Sequence, residues 1–309
     1  MTPYGILTLK GYGLVKIALI ANPNSGGKKA NQTILQIKEK LKAQKINSDL
    51  FLTQYHTHAF EILKKIEIQE YDAVVSMGGD GTNYEVLNGV LKYHGDGDIP
   101  PLGIIPLGRG NSFARDLQIF TADDGISALL QNTAKAVDVC SFTQNSEKHY
   151  FINLMGLGFV TDAAKTAYRF NWTGDLSYIL GVLHRTVQLT FHKIVLDIDG
   201  TVIIEKNCFV EFCNSRYTGG DMLIAPDAKI DDGFFDVVIL SPLSRISLIA
   251  TFPKIFKGTH GIHPAVRFIK GKSAHISTEP VKGLLPDGEI FGATPTEITI
   301  HPGLVRYFS

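Results

Sequence analysis

The stretch 76-SMGGDGTNYEVLNG-89 combines three glycines with an aspartate where an apolar strand pattern gives way to a helical one. Gly78 and Gly79 follow the strand, and Thr82 is placed to begin the helix. Glycines at a strand's carboxyl end allow phosphate oxygens to reach backbone N–H groups without a Cβ in the way. An Asp-Gly turn that needs positive φ explains the same residues. The stretch alone supports a phosphate site and a structural turn equally.

Two further glycine-containing loops follow apolar strands, 22-NPNSGG-27 and 106-PLGRGNSFAR-115. The carboxyl ends of parallel strands meet at one edge of a sheet, where α/β proteins bind their ligands. Three such loops at one edge favour a nucleotide or polyphosphate site. The sequence contains no GxxxxGK[ST], no GxGxxG after a strand, no protein-kinase catalytic loop and no GxSxG. The usual P-loop, dinucleotide, protein-kinase and hydrolase interpretations are therefore excluded.

The elements that must position these loops alternate between strand and helix up to about residue 142. Apolar runs predict strands at residues 15–20, 49–53, 72–77, 102–106 and 135–142. Helical spacing of Ile34, Ile37 and Leu41 predicts the first helix. Further helices are predicted at residues 58–66, 84–91 and 124–131. This repetition predicts an α/β N-terminal domain, residues 14–142, with a parallel, Rossmann-like nucleotide-binding sheet.

After residue 142 the pattern becomes rich in strands. The run 194-IVLDIDGTVIIEK-206 predicts a hairpin that turns at Asp199-Gly200. Other strands are predicted at residues 207–214, 234–240, 265–272, 274–278 and 297–302, and only residues 162–185 and 243–257 have helical character. We expect an all-β sandwich or barrel, residues 143–294, as the second domain.

Composition excludes several classes of protein. The 309 residues carry thirty basic and thirty acidic side chains, so the basic footprint of a nucleic-acid-binding protein is absent. Cys140, Cys208 and Cys213 are too few and too dispersed for a disulfide framework or a zinc ribbon, which indicates a reducing compartment. No apolar run approaches the roughly 18 residues that span a bilayer. The sequence predicts a soluble cytoplasmic protein that at most touches a membrane surface.

In order and spacing, the three loops resemble the motifs NPxSG, GGDGTxxEVxNG and PxGTxNDFAR of the diacylglycerol kinase catalytic domain family. That family also includes sphingosine kinases, ceramide kinases and bacterial soluble lipid kinases. The resemblance covers about residues 15–309 and continues through 150-YFINLMGLGFVTDA-163, 213-CNSRYTGGDMLIAPDAKIDDGFFDVVIL-240, 257-KGTHGIHPAV-266 and 286-PDGE-289. It implies an ATP- and Mg²⁺-dependent lipid kinase whose final segment, about residues 295–309, returns to the first domain.

The resemblance also implies site residues. Asp80 would bind the Mg²⁺ that bridges the phosphates, directly or through water, because a hard cation needs carboxylate oxygen. Residues of the three loops, the following helix and the strand end at Thr53 would bind the nucleotide: Asn22, Ser25, Thr53, Gly78, Gly79, Gly81, Thr82, Glu85, Gly108, Arg109 and Asn111. Glu289 would be the general base that accepts the proton of the lipid hydroxyl. Without the resemblance, an Asp-Gly turn with a solvated Glu289 is the simpler interpretation.

Three further roles are implied by the same resemblance. Asp162 and Arg169 would orient the lipid head group and contact the nucleotide phosphates. Asp232 would bind a second cation, which orders a loop, together with the backbone carbonyls of Lys229 and Phe234. Two alternatives require no binding site. Arg169 would be a surface arginine without a function, and Asp232 would lie in a solvated acidic turn.

The sequence departs from the family pattern at Arg109, where Thr or Ser is common, and at Ser112, where Asp is common. These departures leave a non-catalytic lipid- or nucleotide-binding module as one alternative. An NAD kinase-like phosphotransferase, which shares GGDGT, is another. The expected partners are ATP and a hydroxylated lipid such as diacylglycerol, a sphingoid base or phosphatidylglycerol. We expect peripheral contact with a membrane and no nucleic-acid partner. For the oligomeric state, a homodimer is one alternative.

Overall fold

The computed structural model describes residues 7–8, 15–27, 30–95, 97, 99–169 and 177–309, with backbone alone at residues 7–8, 168–169 and 177–180. The chain forms two compact units. The first runs up to Asp138 and includes Gly303–Ser309, and the second is Val139–Pro302. The boundaries expected from the sequence were residues 142 and 295.

The first unit contains a parallel sheet with strand order β3-β2-β4-β5, to which residues 303–308 of the last strand add next to β5. Its strands are β1 (Leu7–Thr8), β2 (Lys16–Ala21), β3 (Asn47–Leu52), β4 (Ala73–Gly78), β5 (Leu102–Pro106) and the start of β6 (Thr133–Gln144). Its helices are α1 (Ala30–Ala43), α2 (His58–Lys65), α3 (Asp80–His94), α4 (Ser112–Asp116) and α5 (Ala122–Gln131), with a short 3₁₀ turn at Ile68–Glu70.

The positions of the buried residues explain how this sheet packs against its helices and its last strand. Every residue of β4 is buried, as expected of a parallel strand that is covered on both faces. In α1, Ile34, Ile37 and Leu41 form the buried stripe that their spacing predicts. The C-terminal strand is fixed by Tyr307, whose ring packs edge-on against Phe113 and whose hydroxyl donates to Asn83 Oδ1 at 3.1 Å.

The second unit is an antiparallel sandwich. One sheet contains β10-β9-β16 and residues 296–302 of β18, with the rest of β6 and β7, and the other has the order β15-β14-β11-β8-β17. The elements after β6 are β7 (Glu147–Phe151), β8 (Leu154–Gly158), α6 (Phe159–Arg169), α7 (Ser177–Val187), β9 (His192–Ile198), β10 (Thr201–Asn207), β11 (Phe209–Cys213), β12 (Tyr217–Thr218), β13 (Met222–Leu223), β14 (Phe235–Leu240), α8 (Arg245–Thr251), β15 (Val266–Gly271), β16 (Ser273–Glu279), β17 (Leu284–Pro286) and β18 (Thr296–Phe308). Two 3₁₀ turns lie at Phe252–Lys257 and His260–Ile262.

Alternation along β11 shows how the second sheet is covered on both faces. Val210 and Phe212 point into the core between the sheets, against residues such as Phe235 and Ile276. Phe209 and Cys213 point to the opposite face and pack in a second apolar cluster with residues of α6, α7 and α8. Glu211 shares the face of Phe209 and Cys213, since side chains two positions apart lie on one face of a strand.

The sequence-based fold class, an α/β domain followed by an antiparallel β domain, is confirmed. The predicted hairpin is also present, with Asp199 and Gly200 at φ 50° and 86° and Ile198 opposite Thr201. The segment predicted to be helical at residues 162–185 contains α6 and α7, and residues 170–176 lie outside the described residues. Strand β18 continues through Pro302 to Phe308, past the predicted end. Among the described helices, none has the length and apolarity required to cross a bilayer.

Candidate active site

Three loops meet at the carboxyl edge of the parallel sheet in the first unit. The N–H of Asn22 donates to the carbonyl of Met77 at 2.9 Å, which joins the first loop to β4. The N–H groups of Leu107 and Gly108 both donate to the carbonyl of Gly78, at 2.8 and 3.1 Å. The structure therefore brings together the three glycine loops that the sequence predicts at one sheet edge.

The glycines of these loops are required by contacts between the loops themselves. A Cβ added to Gly108 would collide with the Cα of Gly79, and a Cβ on Gly26 would lie 2.5 Å from the carbonyl oxygen of Leu107. Gly26 also has φ +80°, which disfavours a side chain. Close backbone packing is thus a second reason for glycine here, beyond the access for phosphate that the sequence suggested.

Asp80 connects the second loop to the third. Its Oδ2 accepts the N–H of Ser112 at 3.0 Å and its Oδ1 accepts the N–H of Phe113 at 3.3 Å, so the carboxylate caps the start of α4. Burial raises the pKa of Asp80, and the N–H groups together with the Ser112 hydroxyl partly oppose that shift. A carboxylate has about four lone-pair sites. The N–H groups of Asn111, Ser112 and Phe113 and the Ser112 hydroxyl can occupy all of them, so a cation at Asp80 would have to share or replace these contacts.

Asn111 shapes the third loop and has a buried acceptor. It has φ 51°, in the left-handed region, and its Nδ2 donates to the carbonyl of Gly108 at 2.7 Å. Its Oδ1 is buried and has no hydrogen-bond partner among the described residues. Buried polar atoms in folded proteins almost always have a partner, so this oxygen indicates a place where a ligand or a water donates.

The remaining residues predicted to bind nucleotide fall into two groups. Asn22 Nδ2 lies 3.5 Å from Thr82 Oγ1, and the N–H of Thr53 donates to the carbonyl of Ala21, so these side chains border the loops. Ser25 is half-buried in the first loop, Gly81 is half-buried in the first turn of α3, and Arg109 is exposed in the third loop.

Glu85 differs from this group because the structure gives it a partner that the sequence did not suggest. Its Oε1 accepts the N–H of Thr57 at 2.8 Å and its Oε2 accepts the N–H of Ala59 at 3.2 Å. His56 Nδ1 lies 3.3 Å from the same carboxylate. Glu85 therefore fixes the start of α2.

In the second unit, Glu289 follows a tight turn whose position is fixed by the carboxylate of Asp287. Asp287 and Gly288 have φ 46° and 88°, and the N–H of Glu289 donates to the carbonyl of Pro286 at 2.8 Å. The buried carboxylate of Asp287 accepts the N–H groups of Ile152, Asn153 and Leu154 at 3.0, 2.8 and 3.0 Å. Glu289 itself is half-buried. Sequence reasoning missed Asp287, although its place in Pro-Asp-Gly-Glu was a signal.

A second set of contacts extends this turn to β11. Asn214 and Ser215 donate their N–H groups to the carbonyl of Asn153, and Asn214 Nδ2 donates to the carbonyl of Ile152 at 2.8 Å. The Ser215 hydroxyl bonds to Asn153 Oδ1. Segments that the sequence linked only by resemblance, at residues 150–163, 213–240 and 286–289, therefore form one polar network at one end of the sheet.

Of the two residues predicted to orient the lipid head group, only Asp162 has a described side chain. Asp162 lies in α6 and pairs with Arg185 of α7, at 3.2 Å between Oδ2 and a guanidinium nitrogen. Arg169 ends α6, and its side chain lies outside the described residues.

In the loop predicted to hold a second metal cation, the ammonium group of Lys270 lies beside the Asp232 carboxylate. Asp232 Oδ1 accepts the N–H of Phe234 at 3.1 Å, and the Lys270 ammonium lies 2.8 Å from Asp232 Oδ2 and 3.3 Å from Asp236 Oδ2. Burial raises the pKa of Asp236, and Lys270 opposes that shift. No cluster of three or more His, Cys, Asp or Glu residues suited to a metal occurs in the described part of the chain.

An apolar slot lies on the face of the β15-β14-β11-β8-β17 sheet that packs against α6, α7 and α8. About 590 Å³ of space lies between its walls, and this figure includes space that is open to solvent. Apolar side chains of β11, β14 and the helices form most of its wall, among them Phe159, Val182, Phe209, Leu240, Leu248 and Phe252. Glu211, His260, Thr218 and Thr251 are its polar lining residues. Such an apolar lining suits an aliphatic chain.

Comparison with known proteins agrees with this geometry. Residues 16–142 match the family model described as the diacylglycerol kinase catalytic domain, and residues 154–309 match the YegS C-terminal NAD kinase beta sandwich-like domain. A diacylglycerol kinase of Mycobacterium tuberculosis is 28% identical, with 96% of each chain covered. Sphingosine kinase 1 of Arabidopsis thaliana is 25% identical, with 89% of this chain and 68% of that protein covered. The crystal structure of a candidate diacylglycerol kinase of Bacillus anthracis has a TM-score of 0.79 at 26% identity and covers 96% of this chain and 97% of that one.

Proposed function

Because the chain belongs to the lipid kinase family that joins a diacylglycerol kinase catalytic domain to a YegS C-terminal NAD kinase beta sandwich-like domain, we propose that it transfers the γ-phosphate of ATP to a lipid hydroxyl. The proposed acceptors are diacylglycerol, a sphingoid base or phosphatidylglycerol. The observation that carries the proposal is the apolar slot, which lies on the same sheet whose polar end holds the Glu289 turn. An amphiphile with its hydroxyl near that end would have an apolar surface for its chain.

The first unit would bind ATP through the three joined loops. Backbone N–H groups of glycine loops and of helix N-termini suit phosphate oxygens, and the orphaned Asn111 Oδ1 offers an acceptor to a nucleotide hydroxyl or amine. Mg²⁺ usually uses one or two carboxylates together with substrate phosphates, so a single Asp80 fits such a site. When bound, the cation would neutralise charge on the transferring phosphoryl group.

Glu289 would accept the proton of the attacking hydroxyl. An alcohol is a weak nucleophile until its proton can leave as the new P–O bond forms. The Asp287 carboxylate fixes the turn, so Glu289 is presented on a rigid support. We assign Asp162 and Arg169 to head-group orientation, with the Arg185 pair holding Asp162 in place.

A second cation at Asp232 would use the backbone carbonyls of Lys229 and Phe234. To bind Asp232 Oδ2, it would have to displace the Lys270 ammonium, which lies 2.8 Å away. We therefore expect weak binding at this site and a loop that is already ordered by Lys270.

We further propose that the lipid is taken from an anionic bilayer by the α7–α8 face, defined as residues 183–191 and 245–262. This face exposes apolar side chains to an unusual degree: Leu183, Val187, Phe191, Ile246, Ile249, Phe256 and Ile262. Ile246 and Ile262 are 82% and 80% exposed. Arg245, Lys254 and Lys257 lie among them, and neither residue range contains Asp or Glu. Apolar side chains interspersed with cations suit an anionic lipid surface.

The membrane proposal is tested by co-sedimentation with phosphatidylcholine vesicles, with and without phosphatidylglycerol. We expect binding that requires phosphatidylglycerol and that the double substitution I246E/I262E abolishes. The matched control is I204E, which adds a charge at a 63% exposed position of β10 outside this face. Equal binding of I246E/I262E and wild-type protein would refute the assignment of this face.

The reaction is tested by incubating the protein with labelled ATP, Mg²⁺ and a panel of diacylglycerol, sphinganine, phosphatidylglycerol and NAD, with products identified by mass spectrometry. We expect one phosphorylated lipid and no labelled NADP. Labelled NADP in place of a lipid product would favour an NAD kinase-like activity. ATP binding without any phosphorylated product would contradict the proposed transfer.

A further inference from the structure

A buried acid, Glu211, lines the apolar slot. Glu211 is 3% exposed, and its Oε2 has no hydrogen-bond partner among the described residues. Gly156, its neighbour on β8, provides the space for it, because a Cβ there would lie 3.2 Å from Glu211 Oε1. An unpartnered carboxyl group in an apolar wall is costly, so its presence indicates a ligand that completes it.

The strand register places Glu211 close to the polar end of the slot. On β11, Cys213 lies opposite Leu154, and Asp287 donates its N–H to the carbonyl of that same Leu154. Glu211 is two residues from Cys213, or about 7 Å at the usual rise per residue. Phe209, which marks the apolar end, lies two residues further away. Of the two β11 residues that line the slot, Glu211 is therefore the one nearer to the polar network of the Asp287 turn, and Phe209 is the one farther from it.

Within the described lining of the slot, no lysine or arginine is available to neutralise Glu211. His260 donates from Nε2 to the carbonyl of Ile224 at 2.9 Å, and burial lowers its pKa, so its ring is neutral. Burial alone raises the pKa of Glu211 to about 8. Near neutral pH the side chain is accordingly an uncharged acid with an O–H to donate.

We propose that Glu211 selects the lipid by donating a hydrogen bond from its neutral carboxyl group to an acyl ester carbonyl beside the head group. This rests on the proposed lipid kinase function and narrows its acceptor to a glycerol ester such as diacylglycerol. An ether-linked lipid lacks the carbonyl. A sphingoid base would place an ammonium group against the slot, where it would require Glu211 to be ionised.

The test compares dioctanoylglycerol with its dioctyl ether analogue and with sphinganine. We measure kcat/KM with ATP and, separately, equilibrium binding of each lipid without ATP, so that a failure of phosphoryl transfer does not decide the role of Glu211. The variants are E211Q, whose amide N–H can still donate, and E211M, which fills the site with an apolar side chain. Thermal unfolding of each variant confirms that it is folded.

We expect the wild-type protein to prefer the ester over the ether about tenfold, the contribution of one hydrogen bond. E211Q should retain most of this preference, and E211M should reduce the ratio to about one. The proposal is overturned if the wild-type protein treats ester and ether alike in binding, or if E211M keeps the preference. It is also overturned if sphinganine is the preferred ligand and E211Q loses that preference, because recognition would then depend on a charged Glu211.

Discussion

The carboxylate of Asp287 accepts the backbone N–H of Asn153 at 2.8 Å, between residues 134 positions apart in the chain. The same carboxylate accepts the N–H groups of Ile152 and Leu154. In Pro-Asp-Gly-Glu, the aspartate therefore fixes the backbone of the turn. We propose the following glutamate, Glu289, as the general base, so the two acids of this motif would have different functions.

Replacing Asp287 tests this division. D287A leaves three buried N–H groups without an acceptor, so we expect it to lower the free energy of unfolding by about 3–5 kcal/mol. D287N keeps one acceptor oxygen and should lose less. Chemical denaturation measures both values, and D197N is the control, because Asp197 accepts a single exposed N–H from Gly200 at 2.8 Å. Equal stability of D287A and D197N would contradict the anchoring role.

The contact between the second and third loops predicts the effect of a single methyl group. G108A places a Cβ against the backbone of Gly79, which cannot move aside as a side chain could. We expect ATP affinity to fall at least tenfold and stability to fall by about 1–3 kcal/mol, because the loops must separate. G97A is the control, since a Cβ at Gly97 meets nothing within 4 Å. Isothermal titration with ATP is the measurement, and unchanged binding by G108A would refute the loop packing.

Asp80 has two proposed functions, and D80N separates them. The amide keeps one oxygen for the N–H groups of α4 but lacks the charge that attracts a cation. We expect a loss of about 1 kcal/mol in stability and a much larger rise in the Mg²⁺ concentration that gives half-maximal activity. If the Mg²⁺ dependence stays the same while stability falls, Asp80 is a helix cap and nothing more.

The sequence predicted those parts of the site that follow from local pattern. Strand and helix periods place the loops at residues 22–27, 78–82 and 106–111 on one sheet edge, because parallel strands end there together. The contacts made by Asp80, Glu85 and Asp287 were not predictable in this way. Each joins a side chain to backbone N–H groups far away in the chain, and no periodicity records such a pair.

Glu211 gave a signal that sequence analysis did not use. It is the only charged residue in 207-NCFVEFCN-214, a run otherwise typical of a strand buried on both faces. Such a residue either reaches solvent at a sheet edge or lies buried for a reason. Only the strand order, which places β11 in the middle of its sheet, excludes the edge.

The buried acid predicts an unusual dependence of stability on pH. A carboxyl group with a folded pKa of about 8 and a lower unfolded pKa is stabilising below the unfolded value and loses that contribution as pH rises toward 8. E211Q cannot ionise, so its stability relative to wild type should grow between about pH 5 and pH 8, by a few kcal/mol, since one pKa unit corresponds to about 1.4 kcal/mol. Urea denaturation at several pH values measures this. A constant difference would place Glu211 in contact with solvent.

Glu289 is the residue on which the proposed chemistry depends most directly. E289Q keeps the size of the side chain and the backbone bond to Pro286 but cannot accept a proton, so we expect kcat to fall about a hundredfold to ten-thousandfold. ATP affinity and stability should stay close to the wild-type values, because the Asp287 anchor is intact. E297Q, which removes an exposed acid on β18, is the control for loss of charge. Single-turnover transfer from labelled ATP is the measurement, and full activity of E289Q would remove Glu289 from the role of base. Because D287A should lower stability and activity together while E289Q lowers activity alone, the pair distinguishes an acid that holds the turn from the acid that the turn presents.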